Sequence, residues 1–224
     1  MLKNQGRVKF MKNNVLEIVS TTRLVAIIRL DDLSQAVQLS KALLAGGVVA
    51  QEFTLSNPRA LDAMSEVKAA LSEFSSGGAT IGLGSVRNVD EAQAAIKAGA
   101  QFVVTPITNL EVIEVCKNAG VPIMPGAFTP TEIATAYDAG ADVVKVFPAR
   151  ALGPTYIKDV LAPMPYLKLM PTGGVDLENM ASFFKAGAVS VGVGGNLLDK
   201  KAIEVGDWEK VSSIARQYAE AAKA

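Results

Sequence analysis

Two charged side chains sit inside stretches that are otherwise apolar, and both are of types that move protons or attack carbonyl groups. Lys145 lies in Asp142-Val143-Val144-Lys145-Val146-Phe147-Pro148, and Glu52 in Ala50-Gln51-Glu52-Phe53-Thr54-Leu55-Ser56. With the two-residue alternation of a strand, Lys145 shares a face with Val143 and Phe147, and Glu52 with Ala50, Thr54 and Ser56. A desolvated lysine gives up its charge readily, and its neutral amine can add to a ketone to form a Schiff base. A glutamate enclosed nearby could carry protons for such a reaction. The pattern alone leaves other readings open: Lys145 could reach solvent, or the two could form a structural ion pair. Two glycine pairs complete the set, in Thr172-Gly173-Gly174 and in Gly192-Val193-Gly194-Gly195-Asn196. Glycine lets a backbone approach phosphate oxygens closely, although a Gly-Gly pair is also an ordinary turn.

Composition narrows the chemistry by exclusion. The chain has 224 residues, 22 Lys+Arg, 22 Asp+Glu, one cysteine and no histidine. Conventional zinc sites and Ser-His-Asp or Cys-His nucleophile systems are therefore excluded, which leaves a carboxylate-held metal open. Proton transfer has to come from Lys, Asp, Glu or Tyr. A formal charge of zero argues against nucleic acid as a partner, because phosphate-backbone binding needs clustered positive charge. The lone Cys116 permits no intrachain disulfide and fits a reducing compartment. Met1 to Asn14 lacks a continuous apolar signal core, and no apolar run approaches a bilayer span, so the expected location is the cytoplasm and no membrane partner is expected.

The elements that must position these residues follow from hydrophobic periodicity. Strands are expected at Val25–Ile28, Val48–Leu55, Ala79–Leu83, Phe102–Thr105, Val121–Met124, Val143–Phe147, Leu167–Met170 and Val189–Val193. Helical spacing recurs between them at Ser34–Leu44, Arg59–Leu71, Asp90–Lys97, Leu110–Lys117, Thr131–Tyr137 and Leu177–Lys185. Ala-Gly repeats at the helix-to-strand junctions, Ala45-Gly46, Ala98-Gly99, Ala119-Gly120, Ala139-Gly140 and Ala186-Gly187, where glycine supplies a left-handed stop. Thr129-Pro130-Thr131-Glu132 offers an N-cap, a first-turn proline and a capping-box glutamate, and Asn88–Glu91 a looser version.

Strands that are apolar on both faces and joined by helices imply a parallel α/β sheet. Eight such units in this length predict a single (β/α)8 TIM barrel domain over residues 1–224, with a helical extension at 1–22 and a C-terminal helix at 207–224. The alternative is an open doubly wound sheet, for which no dinucleotide fingerprint follows the first strand. In a barrel, Lys145, Glu52 and the glycine pairs would lie at strand ends and in the loops after them, where active sites of this fold are built.

Several further segments appear in order: Gly82-Leu83-Gly84-Ser85-Val86, Thr105-Pro106, Met124-Pro125-Gly126, Lys145-Val146-Phe147-Pro148-Ala149, Pro171-Thr172-Gly173-Gly174-Val175 and Val191-Gly192-Val193-Gly194-Gly195. With Glu52-Phe53-Thr54-Leu55, they resemble the 2-keto-3-deoxy-6-phosphogluconate (KDPG) and 4-hydroxy-2-oxoglutarate aldolase family over roughly residues 22 to 200. The resemblance implies homotrimeric class I aldolases without metal or other cofactor. It implies Lys145 as the imine-forming lysine and Glu52 as the acid–base residue. It also implies Ser85 in the place of a threonine that contacts pyruvate, and Pro106, Phe147 and Thr172 lining the pocket. Gly173, Gly174, Gly194 and Gly195 would hold the phosphate.

Two positions, Ser56 and Asn196, depart from the family pattern. Ser56 stands where many members carry the arginine that binds the substrate carboxylate, and a hydroxyl cannot supply a bidentate fork. Arg29, at the end of the first strand, is the expected replacement, unless it pairs with Asp31 or Asp32. Asn196 follows the second glycine pair where a serine is common. The expected reaction is cleavage of KDPG to pyruvate and glyceraldehyde 3-phosphate, and also of 4-hydroxy-2-oxoglutarate to pyruvate and glyoxylate. The alternatives are a phosphate-binding barrel isomerase or transferase without imine chemistry, and a silent scaffold. The partner expected is a small phosphorylated keto acid.

Overall fold

The computed structural model describes residues 14–224. A helix at 14–22 (α1) leads into β1 (Leu24–Ile28), α2 (Ala36–Ala45), β2 (Ala50–Thr54), α3 (Ala60–Ala70), α4 (Glu73–Ser76), β3 (Thr80–Gly84) and α5 (Val89–Lys97). There follow β4 (Val103–Val104), α6 (Leu110–Ala119), β5 (Ile123–Met124), β6 (Gly126–Ala127), α7 (Pro130–Asp138), β7 (Val144–Val146) and a 3-10 turn (Ala149–Ala151). The chain ends with α8 (Gly153–Leu161), β8 (Leu169–Pro171), α9 (Met180–Lys185), β9 (Val191–Val193), α10 (Lys200–Glu204) and α11 (Trp208–Lys223). Residues 1–13 of the expected N-terminal extension lie outside the described residues.

All strand pairs are parallel, so the α/β class read from two-sided apolar strands holds. The strands form a six-stranded half-barrel ordered β5-β4-β3-β2-β1-β9 and a three-stranded sheet ordered β6-β7-β8. Eight strands in one ring were expected. The difference arises at Pro125, just past the fifth expected strand: it has no N–H to donate, and it separates β5 from β6, which the sequence pattern did not single out. Its carbonyl still accepts from the Lys145 N–H at 2.9 Å. At the other junction, the two sheets touch through a parallel bridge between Thr172 and Gly192 and a hydrogen bond from Val189 N–H to Leu169 O, 3.0 Å.

The alternation of side chains separates two apolar layers. Ala26, Ile28, Phe53, Ile81, Leu83, Val144, Val146, Leu169 and Val191 pack outward against the helices. Val25, Ala50, Phe102, Val104, Met124, Val143 and Met170 turn to the opposite face, where Val15 and Val19 of α1 join them. One end of that face is therefore closed by α1, and polar strand residues can occupy the other end.

The helix signals are mostly realised. Thr129 and Glu132 form the full capping box with Pro130 in the first turn, and Asn88 accepts from Glu91 N–H. Glycine is left-handed at four of the five Ala-Gly junctions. At Ala45-Gly46 that role passes to Gly47, because Gly46 is instead where α11 approaches: a Cβ there would lie 2.6 Å from Ser212 O. The helix expected from Leu177 begins at Met180, since Asp176 Oδ1 accepts from Glu178 and Asn179 N–H (3.0 Å each) and holds a turn in front of it. The sequence reading named no helix at α8, where Gly153-Pro154 opens the helix; proline is tolerated in a first turn because its N–H would be unpaired anyway. The expected C-terminal helix is α11, which buries Val211, Ala215, Tyr218, Ala219 and Ala222. Among the described residues, no helix is long and apolar enough to cross a membrane.

Candidate active site

Lys145 stands in the middle of β7, between Val144 and Val146, whose side chains belong to the outer layer. Its own side chain turns the other way with Val143 and Met170 beneath it, and it is only 5 % exposed. Glu52, on β2 above Ala50, is 1 % exposed. The space it occupies is left by glycine: a Cβ on Gly84 of β3 would coincide with the Glu52 carboxylate, and one on Gly82 would run into the Phe102 ring. Glycine inside a strand marks such a close approach.

Burial dominates the electrostatics of both groups. Desolvation pushes the Glu52 carboxyl above its ordinary range, and the positive charges of Lys145 and Arg29 oppose that shift without reversing it. Desolvation pulls the Lys145 amine down; the Glu52 charge works against this, and Arg29 adds to it. Each group feels the other, yet no ion pair joins them among the described residues. Glu52 Oε2 is buried without a hydrogen-bond partner among the described residues. Lys145 Nζ lies 4.8 Å from the centre of the Phe147 ring, which covers one side of it.

Lys145 opens into a cavity of about 510 Å³. Ile27, Phe147 and Thr172 wall it, and Gly173, Gly174, Gly194, Gly195 and Asn196 line it as well. The Gly173 and Gly174 backbones both take φ +88°, a conformation that side chains resist. Asn196 Nδ2 donates to Val175 O at 3.1 Å and so ties the two glycine loops together. Arg29 lines the same cavity and has no ion pair with Asp31 or Asp32 among the described residues. Asp31 faces Lys200 at 3.9 Å, and Asp32 accepts from Ser34.

The remaining expected site residues lie around this centre. Ser56 is exposed on a neighbouring pocket of about 280 Å³ with Arg29, Asn57 and Pro58, its hydroxyl 2.8 Å from that of Thr54. Ser85 is half-buried one residue beyond Gly84, with φ +60°. Pro106 lines a second, largely apolar cavity of about 610 Å³ that shares Phe147 and Pro148 with the first. The sequence reading did not single out Arg150, which also lines the Lys145 cavity. A signal for it exists: a cation directly after Pro148-Ala149, in the loop leaving the lysine's strand. Among the described residues, no cluster of three or more His, Cys, Asp or Glu side chains could hold a metal ion.

Both the sequence and the fold are similar to those of known proteins. The family model described as KDPG and KHG aldolase matches residues 15–214. The chain is 34 % identical over 204 residues to the 2-dehydro-3-deoxy-phosphogluconate aldolase of Treponema pallidum, covering 91 % of this chain and 95 % of that one. It is 31 % identical over 216 residues to the KHG/KDPG aldolase of Escherichia coli K12, covering 96 % and 99 %. Among solved structures, it superposes with a TM-score of 0.81 on the KDPG aldolase of Legionella pneumophila, with 25 % identity, 90 % of this chain and 96 % of that chain covered. That protein was captured with pyruvate as a covalent carbinolamine.

Proposed function

This chain belongs to the KDPG and KHG aldolase family, and from that premise we propose that Lys145 and Glu52 carry out a class I aldol cleavage at the cavity that Lys145 lines. The chain is a carbon–carbon lyase, and its reaction is the splitting of 2-keto-3-deoxy-6-phosphogluconate into pyruvate and glyceraldehyde 3-phosphate, with 4-hydroxy-2-oxoglutarate as a second substrate. The observation that carries the residue assignment is a buried lysine lining the cavity and a buried glutamate that feels its charge without an ion pair, in a family whose relative holds pyruvate as a carbinolamine.

Neutral Lys145 adds to the C2 ketone, and Glu52 delivers the proton with which the carbinolamine loses water. The iminium formed accepts the electron pair of the C3–C4 bond. Glu52, now a carboxylate, takes the proton of the C4 hydroxyl as that bond breaks, which releases the aldehyde and leaves an enamine. Protonation of the enamine at C3 and addition of water free pyruvate and restore the amine. Glu52 must act as acid and as base in turn, which its upward-shifted carboxyl suits. Arg29 takes the C1 carboxylate in place of the missing arginine at Ser56; that it forms no ion pair with Asp31 or Asp32 among the described residues supports this role. Ser85, Phe147 and Thr172 shape the pyruvate end. Gly173, Gly174, Gly194, Gly195 and Asn196 receive the far end through backbone N–H groups.

Closure of the two sheets into one eight-position barrel belongs to the same proposal. It is supported by β9 lying beside β1, by the Thr172–Gly192 bridge, and by β5 and β6 being consecutive across a single proline. A single domain over residues 1–224, a homotrimer and a cytoplasmic location complete it. Phosphorylated substrates do not cross membranes unaided, and exposed Ile107, Leu110 and Phe128 around the second cavity offer an apolar face for a neighbouring subunit.

Borohydride reduction in the presence of pyruvate tests the proposal. The protein should gain one pyruvyl-derived adduct on Lys145, located by peptide mass, and Lys145→Ala should gain none. An unlabelled parent, or labelling elsewhere, would refute the imine.

A further inference from the structure

Three basic side chains, Lys145, Arg29 and Arg150, line the catalytic cavity, and among the described residues no carboxylate lines it with them. The chain as a whole has as many acidic as basic residues, so this segregation does not follow from composition. Lys145 and Arg29 have their parts at the ketone and the C1 carboxylate. Arg150 has none, and its backbone is held by the glycine loop itself: Ala149 N–H donates to Thr172 O and Arg150 N–H to Gly173 O, 2.8 Å each. The 3-10 turn thereby sets the side chain over Gly174, where an added Cβ would lie 3.4 Å from Arg150 Nε. Among the described residues, the guanidinium has no ion pair.

We propose that Arg150 recognises the distal phosphate of the substrate, so that this site selects keto acids with an anionic group at each end. The inference rests on the aldolase reading of the same cavity and adds a side-chain receptor to a phosphate site otherwise made of backbone N–H groups. A planar guanidinium fits a phosphate with two parallel hydrogen bonds, and Asn196, whose amide is engaged with Val175, offers no comparable charge. Arg150 is also exposed, so it can reach the phosphate of an entering substrate before the ketone meets Lys145.

The test compares parent, Arg150→Ala and Arg150→Lys on KDPG and on 2-keto-3-deoxygluconate, which lacks the phosphate. In Arg150→Ala, the ratio of kcat/KM between the two substrates should fall about tenfold or more, mainly through KM, and Arg150→Lys should recover part of it. The contribution of an exposed charge should also shrink as salt is raised from about 0.05 to about 0.5 M, which a merely structural role would not show. Calorimetric binding of 6-phosphogluconate against gluconate reads the same contact with ligands that have no ketone. A result on these ligands therefore judges Arg150 even if pyruvate and borohydride fail to label Lys145. A phosphate preference unchanged within about twofold in Arg150→Ala, or an equal loss on both members of each pair, overturns the proposal.

Discussion

At the residue scale, the buried carboxylate of Glu52 sets up a measurable conflict between activity and stability. Its folded-state pKa stands above the ordinary value of 4.5, so its contribution to stability is full below that value and is lost as pH rises through the folded pKa. Lys145 is shifted the opposite way, below 10.5, so its contribution is present above 10.5 and lost as pH falls through its folded pKa. Near neutral pH, both burials therefore weigh against folding. Glu52→Gln should gain thermal stability over the parent, with a difference in Tm that is small below pH 4.5 and widens toward neutrality; a gap that narrows with rising pH would contradict this. The same variant should lose about 10²–10⁴-fold in turnover while still trapping some pyruvate with borohydride. Cys116 marks the contrast between a buried group in the apolar outer core and one in the cavity. Burial, with Asp142 beside it, pushes its thiol up to about 12, so a disulfide reagent at pH 8 should titrate no thiol until the protein is unfolded.

At the element scale, the site depends on which strands omit side chains. β3 contributes Gly82 and Gly84 to the face shared with Glu52, and β9 contributes Gly192 beside Thr172 and Ile27. Gly84→Ala would place a methyl group where the Glu52 carboxylate sits. Turnover should fall to the level of Glu52→Gln, and overpacking should lower stability by about 1–3 kcal/mol. Gly46→Ala separates packing from catalysis. Its Cβ would press on Ala215 and Ser212 of α11, neither of which lines the cavity, so a similar loss of about 1–3 kcal/mol is expected with kcat per folded molecule preserved. Denaturant unfolding and turnover measured on the same samples check both. That glycines recur in β3 was legible in Gly82-Leu83-Gly84; which atoms needed the room was not, because Phe102 and Glu52 arrive from other strands.

At the scale of the whole molecule, one end of the inner face is closed by α1 and the other is open to substrate. Val15 and Val19 are almost wholly buried against Val25, Ala50, Phe102 and Val143, so α1 belongs to the folded body rather than being an appendage. Val19→Ala should cost about 2 kcal/mol in denaturant unfolding, from two lost carbons and a residual cavity, while borohydride labelling per folded molecule stays at the parent level. A loss of labelling in proportion to stability would show that α1 also sets the position of Lys145. The expected N-terminal helical extension was visible in the chain only as a segment without a signal core. Its role as a plug depends on the curvature of the sheet above it.

Local information was enough for much of this protein. Alternating apolar residues around Lys145 and Glu52 set the face each occupies, because strand periodicity is a property of the backbone alone. The two-sided apolar runs and the Ala-Gly stops determined parallel strands joined by helices, and the absence of histidine ruled out histidine-based acid–base and nucleophile systems. Tertiary structure decided what depends on distance between strands remote in sequence. It brought Lys145 and Glu52 near enough to feel each other's charge without an ion pair, and buried both so that desolvation governs their pKa shifts. It also anchored Arg150 to the Gly173 backbone, and it divided the ladder at Pro125. Each of these is fixed by sheet curvature and by atoms contributed from distant segments, for which no spacing within a single stretch of chain carries a signal.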